Sequence, residues 1–112
     1  MSVIIVRKPA TAAELQEMCA EFDSLVKLAV DLERGILAGG GELHSDCEQA
    51  LLYDGSDQKD VWGGDWFPGV QEVGFESLIN IRPRQDNRGL ELQSPVLRER
   101  FEAIVRRLLE AE

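Results

Sequence analysis

The chain has 112 residues and carries 12 lysines and arginines against 21 aspartates and glutamates, a formal net charge of −9. This length fits one domain spanning residues 1–112, and the 44% hydrophobic content excludes a disordered chain. The acidity argues against general binding to nucleic acid or to an anionic membrane, since both need clustered Lys and Arg.

The first predicted elements are a strand and a helix. The apolar run at residues 3–6 favours a short strand. Thr11 and Glu14 are spaced as a capping box, which predicts that a helix begins there. The apolar face of this helix recurs at helical spacing at Leu15, Met18, Cys19 and Phe22.

A hairpin and a second helix follow. From residue 26 apolar and polar residues alternate, which predicts a half-buried strand over 26–32, and residues 36–38 run back as its partner. The glycines 39–41 end this hairpin. Ser45 and Glu48 are spaced as a second capping box, which predicts a short helix from about residue 46 to residue 53.

The second half predicts three strands and a last helix. Residues 61–67 contain both tryptophans and predict an irregular strand. Alternation over 73–81 predicts the longest strand of the protein, and 90–93 a short returning strand. Ser94 followed by Pro95 predicts an N-cap and the first position of a helix.

The resulting order, β-α-β-β-α-β-β-β-α, predicts an α+β fold: a two-layer sandwich of a mostly antiparallel sheet and three helices. The N-terminal apolar run is too short for a signal peptide or a membrane span. Cys19 and Cys47 are widely separated and are expected to be free thiols. We therefore expect a cytoplasmic protein.

Oxygen donors recur in the acidic loop 54–65 at the alternate spacing of a calcium-binding loop. Lysine replaces the central glycine and aspartate replaces the final glutamate, so the loop is not an EF-hand. The alternative is a solvated acidic loop. The predicted ligands of a weak Ca²⁺ or Mg²⁺ site are Asp54, Asp57, Asp60 and Asp65, with Glu42 or Asp46 as additions.

The single histidine, His44, follows three glycines at the start of a predicted helix. This segment lacks the spacing of a phosphate-binding glycine loop. Together with Asp46 or Cys47, His44 would supply acid–base or nucleophilic chemistry. The alternative is a tight turn in which His44 packs against the helix.

Residues 82–88 carry three arginines and one aspartate, a local charge of +2 in an acidic protein. Arginine forks bind carboxylate or phosphate, which predicts a site for a small anion. The alternative is that these arginines pair with the protein's own acidic side chains. For the two tryptophans, the alternative to a role in ligand binding is packing in the core. The candidate ligand-binding residues are Arg82, Arg84, Arg88, Asn80 and Trp62.

Four stretches, 36–48, 51–56, 62–65 and 77–83, resemble those of a small uncharacterised family of bacterial and archaeal proteins, over roughly residues 25–110. That resemblance implies no established activity, and no catalytic residue transfers from it.

Three classes of function stay open. The first is a ligand-binding module with a weak divalent-cation site. The second is a hydrolase-type enzyme that holds an anionic substrate at the 82–88 loop and uses His44 with Asp46 or Cys47. The third is an interaction module, which includes an oligomer, with Trp62 and Trp66 as exposed anchors.

Overall fold

A five-stranded antiparallel sheet forms the centre of the molecule, in a computed structural model that describes residues 3–22 and 24–111. The strand order is β1-β3-β2-β4-β5. The strands are β1 (Ile4–Val6), β2 (Val26–Asp31), β3 (Ile36–Gly39), β4 (Val61–Phe67) and β5 (Glu72–Gly74). The helices are α1 (Ala12–Met18), α2 (His44–Tyr53) and α3 (Pro95–Leu109). The predicted α+β fold and its antiparallel sheet are confirmed.

The helices lie on both faces of this sheet. Helices α1 and α3 cover the face that carries Val26, Leu28 and both tryptophans. Helix α2 covers the opposite face through Cys47 and Leu51, a smaller layer that the two-layer prediction did not include. None of the helices in the described residues is both long and apolar enough to cross a membrane.

The start of α1 is as predicted and the start of α2 is not. In α1, the Glu14 N–H donates to Thr11 Oγ1 at 3.1 Å, and the Thr11 N–H donates back to Glu14 Oε1 at 2.9 Å. The predicted box of Ser45 and Glu48 is wrong, because α2 already begins at His44.

The carboxylate of Asp46, in the first turn of α2, accepts the Leu43 N–H at 3.1 Å. This backbone group precedes the helix, so Asp46 fixes the entry of the chain. Helix α1 is also shorter than its apolar stripe predicts, since it ends at Met18 and leaves Phe22 outside it.

The predicted long strand over 73–81 is wrong beyond Gly74, where β5 ends. A single bridge between Glu76 and Glu91 follows, and the chain then forms a 3₁₀ turn over Leu78–Asn80. The predicted strand 90–93 takes part only in that bridge. The physical reason is the side chain of Asn80, which forms hydrogen bonds with backbone groups that a regular strand would otherwise pair.

The buried amide of Asn80 holds this irregular segment. Its Nδ2 lies 2.9 Å from the Gly63 carbonyl oxygen, 3.2 Å from that of Phe75 and 3.1 Å from that of Leu90. Its Oδ1 accepts the Gly63 N–H at 2.8 Å. These bonds satisfy backbone groups that a regular ladder would otherwise pair, and so the chain can leave the sheet here.

Candidate functional site

His44 forms its main polar contacts with β4. The Nε2 atom lies 3.0 Å from Asp65 Oδ1 and 3.1 Å from the carbonyl oxygen of Gly64. Each of the two side chains is 17% exposed. The first residue of α2 and a residue on the α2-facing side of β4 therefore form a half-buried acid–base pair, separated by about twenty residues in the chain.

The two partners predicted for His44 have other contacts. Asp46 is occupied by the Leu43 N–H, and Cys47 is fully buried, with its thiol donating to the Lys27 carbonyl oxygen at 3.4 Å. Burial raises the pKa of Cys47 to about 11. A thiol with this pKa is protonated at neutral pH, so Cys47 is not poised as a nucleophile.

Arg82 is a structural centre of its loop. Its Nε donates to the Ile79 carbonyl oxygen at 2.9 Å, and Nη1 donates to that of Gln58 at 2.8 Å. Nη2 donates to the carbonyl oxygen of Val61 and lies 3.4 Å from Glu48 Oε2. Burial lowers the pKa of Arg82, and the charge of Glu48 opposes that shift.

The remaining contacts of Arg82 complete this network. Nη1 also lies 3.3 Å from Gln85 Oε1, and the guanidinium stacks 4.5 Å from the Trp62 ring centroid. All its donors therefore have protein partners, which supports the interpretation that Arg82 pairs within the protein.

The other candidate ligand-binding residues differ in exposure. Asn80 is 0% exposed and Trp62 is 2% exposed, so neither presents a surface to a ligand. Trp66 is buried as well. The two tryptophans therefore cannot be the exposed anchors that the hypothesis of an interaction module requires. Arg84 and Arg88 are exposed, and neither makes a hydrogen bond or an ion pair with the residues that the structure describes.

The carboxylates of the acidic loop contact different partners. Asp54 binds Arg7 at 2.6 Å and Arg34 at 2.7 Å. Asp60 lies 3.2 Å from Lys59, and Asp65 contacts His44. The fourth predicted ligand, Asp57, is exposed.

Within residues 3–22 and 24–111, no group of three or more His, Cys, Asp or Glu side chains is placed to hold a metal ion. A Ca²⁺ or Mg²⁺ site in this loop stays a prediction that this geometry does not support.

Asp54 makes the stability of the protein depend on pH. Hydrogen bonds from Arg7 and Arg34 lower the pKa of Asp54 to about 2. A folded-state pKa below the unfolded value of roughly 4 stabilises the fold above that value, and this contribution is lost as pH falls towards 2. We expect Asp54→Asn to lower the urea midpoint at pH 7 and to leave it unchanged at pH 2, measured by circular dichroism. An equal loss at both pH values would contradict the ionic contribution.

Two surface grooves adjoin at the exposed side chain of Leu78. The larger, here called the Arg84 groove, has a volume of about 570 Å³. Its apolar lining is Leu78, Ile79, Ile81 and Pro83, and its polar lining is Glu48, Gln58, Arg82, Arg84 and Gln85. The smaller, here called the His44 groove, has a volume of about 310 Å³. Its lining is Leu25, Lys27, His44, Asp65, Glu76, Ser77, Leu78 and Leu90.

Sequence reasoning missed two features of these grooves. Asp65 was assigned to a metal site, although the regular alternation of β4 places it on the face opposite Trp62 and Trp66, towards α2. Lys27 was assigned only to the polar side of a strand, although it faces Asp65 in the register of β2 and β4. A regular β4 in the prediction would have shown the face on which Asp65 lies, whereas its register with Lys27 depends on how β2 and β4 pair.

Fold and site together define a small α+β protein with helices on both faces of an antiparallel sheet and two adjoining grooves. Residues 4–108 match the family described as "Protein of unknown function (DUF5674)", and the chain belongs to that family. This match confirms the resemblance to an uncharacterised family. It also covers the first strand, which lies before the range of roughly 25–110 given for that resemblance. No curated protein and no solved structure matches the chain.

Proposed function

We propose that the protein binds a small organic anion in the Arg84 groove. A groove of about 570 Å³ falls in the size range of small-molecule sites. The observation that carries the proposal is the guanidinium of Arg84, which has no partner within residues 3–22 and 24–111 and lies beside an apolar surface. Leu78 is 75% exposed and Ile81 is 45% exposed, and both line the groove with Arg84.

The groove is built before any ligand arrives. Arg82 fixes its base, and Gln85 Nε2 donates to the carbonyl oxygen of Lys59 at 2.9 Å. Gln58 Nε2 lies 3.4 Å from Glu48 Oε2 at the opposite side. These bonds hold Gln58, Arg82 and Gln85 in place, and a preformed site loses little entropy when a ligand binds.

The chemistry of the lining selects the class of ligand. Apolar side chains favour an aromatic or aliphatic body, whose burial is driven by the hydrophobic effect. Arg84 favours a single carboxylate, sulfonate or phosphate on that body, because a guanidinium forms charge-assisted bonds with such oxyanions. The negative charge of the whole protein disfavours highly charged anions, since the surrounding acids repel them.

A fluorescent probe of this chemistry tests the proposal. The dye 8-anilinonaphthalene-1-sulfonate has an aromatic body and one sulfonate. We expect saturable fluorescence enhancement with the folded protein, and amide NMR shifts confined to the groove segment 78–85. Arg84→Gln should weaken the affinity about tenfold, roughly 1.4 kcal/mol, since it removes the partner of the sulfonate.

Arg88→Gln is the matched control. It removes the same charge from the same loop, but Arg88 does not line the groove. Its dye affinity should stay within about twofold of the unmodified protein, since it makes no contact with the dye. Equal weakening by both substitutions would mean attraction by general charge and would overturn the proposal.

The proposal places this function in the cytoplasm. Cys19 and Cys47 are both free thiols, a state that a reducing compartment maintains.

A further inference from the structure

The contacts of His44 fix which of its ring nitrogens carries hydrogen. Nε2 faces a carboxylate oxygen of Asp65 and the carbonyl oxygen of Gly64. Both of these groups only accept hydrogen bonds, so the hydrogen must lie on Nε2. In the neutral imidazole the lone pair is then on Nδ1.

Nδ1 is therefore the ring nitrogen of His44 that stays free to accept a proton. In the part of the chain that the structure describes, no donor bonds to it, and the His44 side chain lines the groove. A histidine with one nitrogen held by a carboxylate and a lone pair on the other has the two features of a general base. Asp65 here acts as a positioning residue.

A cation lies in the same groove. Lys27 pairs with Asp65 in the register of β2 and β4, but Asp65 contacts His44 instead. Among residues 3–22 and 24–111 the Lys27 ammonium makes no ion pair, and it lies 4.9 Å from the ring centroid of Phe22. Glu76 is the remaining charged group of the lining. Within the described residues, Lys27 is therefore the one cationic side chain of this lining that can balance a negative charge on a bound molecule.

We propose that the His44 groove is a proton-transfer site for a small hydroxyl compound with an apolar body, such as a phenol or an enol. The O–H bond breaks, its proton passes to Nδ1 and its electron pair stays on the oxygen. The oxyanion faces Lys27, and Asp65 stabilises the imidazolium. Leu25, Leu78 and Leu90 supply the apolar surface. This inference is independent of the proposed function, since the two grooves share only Leu78.

The first measurement needs no variant. Because the chain has a single histidine, ring-nitrogen NMR of the unmodified protein reports on His44 alone. We expect the neutral ring to carry its hydrogen on Nε2. A ring with its hydrogen on Nδ1, or with both forms equally populated, would overturn the proposal.

The second measurement uses 4-nitrophenol, whose visible absorbance reports its ionisation. We expect the bound phenol to ionise about tenfold more readily than the free phenol, one pKa unit, while the His44 ring gains a proton. His44→Gln should abolish this effect. Asp65→Asn retains an acceptor for Nε2, so it should keep the ring state but lose most of the enhanced ionisation.

Two lysine substitutions complete the test. Lys27→Met should remove the enhanced ionisation, because the oxyanion loses its cation. Lys8→Met removes the same charge at an exposed position outside the groove, and should leave the ionisation unchanged. Equal effects of the two substitutions, or enhanced ionisation that persists in His44→Gln, would overturn the proposal.

Discussion

Replacing Arg82 by methionine is expected to lower the free energy of unfolding by about 3–5 kcal/mol, the range for breaking a buried ion pair. The guanidinium bonds to the backbone carbonyl oxygens of Gln58, Ile79 and Val61, and it neutralises Glu48. Methionine keeps much of the stem but removes the donors to the Ile79 and Val61 carbonyl oxygens and the cation beside Glu48. Urea unfolding followed by tryptophan fluorescence measures the loss, since Trp62 lies directly beneath the guanidinium.

Two further substitutions separate charge from geometry. Arg82→Lys keeps the positive charge but lacks the planar fork, so it should recover less than half of the lost free energy. Arg84→Gln should change the stability by less than about 0.5 kcal/mol, because Arg84 is exposed and unbonded within the described residues. If Arg82→Met cost no more than Arg84→Gln, the structural role of Arg82 would be wrong.

The arginine loop shows what charge patterning can and cannot predict. The local excess of positive charge at 82–88 is real, but the three arginines do not act as one cluster. Arg82 points into the fold because an aromatic ring and three strand or turn carbonyls surround it, a set drawn from distant parts of the chain. Arg84 alone lines the groove without a partner in the described residues. The sequence shows that three arginines lie in this loop. Contacts with distant parts of the chain determine which of these arginines remain without a partner among the described residues.

Local signals predicted the starts of α1 and α3 and the central hairpin well. Thr11 and Glu14 form their capping box, and Ser94 accepts the Leu97 N–H at 3.3 Å at the start of α3. Such caps depend on residues three apart, so the sequence contains the whole interaction. The alternation of β2 likewise places Val26 and Leu28 on one face and Ala29 on the other.

The candidate site could not be predicted in the same way. His44 pairs with Asp65 across two elements, and the nearest acid in the sequence, Asp46, is occupied by a cap. Whether His44 contacts Asp46 or Asp65 depends on how α2 packs against β4. No local sequence pattern predicts that packing. The contacts of the acidic loop were also missed for a related reason, since Asp54 binds Arg7 and Arg34 from distant parts of the chain.

The segment after β5 is the clearest case of a tertiary contact that overrides periodicity. Its alternation satisfies the pattern of a strand, yet the chain turns away from the sheet after Gly74. Asn80 accounts for the difference, because one amide bonds to the backbone at Gly63, Phe75 and Leu90. The same segment lines both grooves, so Asn80 connects the fold to the site.

Asn80→Ala is therefore expected to cost about 3 kcal/mol of unfolding free energy, since it removes the partner of the buried N–H and carbonyl groups of Gly63. Asn80→Asp separates the contribution of side-chain volume from the contribution of the hydrogen bonds that Asn80 donates. It keeps the shape and an acceptor for the Gly63 N–H but loses both N–H donors, so at neutral pH it should cost at least as much as alanine. Urea unfolding measures both, with the exposed Gln49→Ala as control at less than about 0.5 kcal/mol.

The same variants test the link between fold and groove. If Asn80 holds the segment that lines the Arg84 groove, folded Asn80→Ala should also bind 8-anilinonaphthalene-1-sulfonate more weakly, without any change at Arg84 itself. Amide shifts should spread from residue 80 towards Phe75 and Leu90, whose carbonyl oxygens each lose one of two donors. An aspartate variant as stable as the unmodified protein would show that the donors of Asn80 contribute nothing, and that packing alone ends β5.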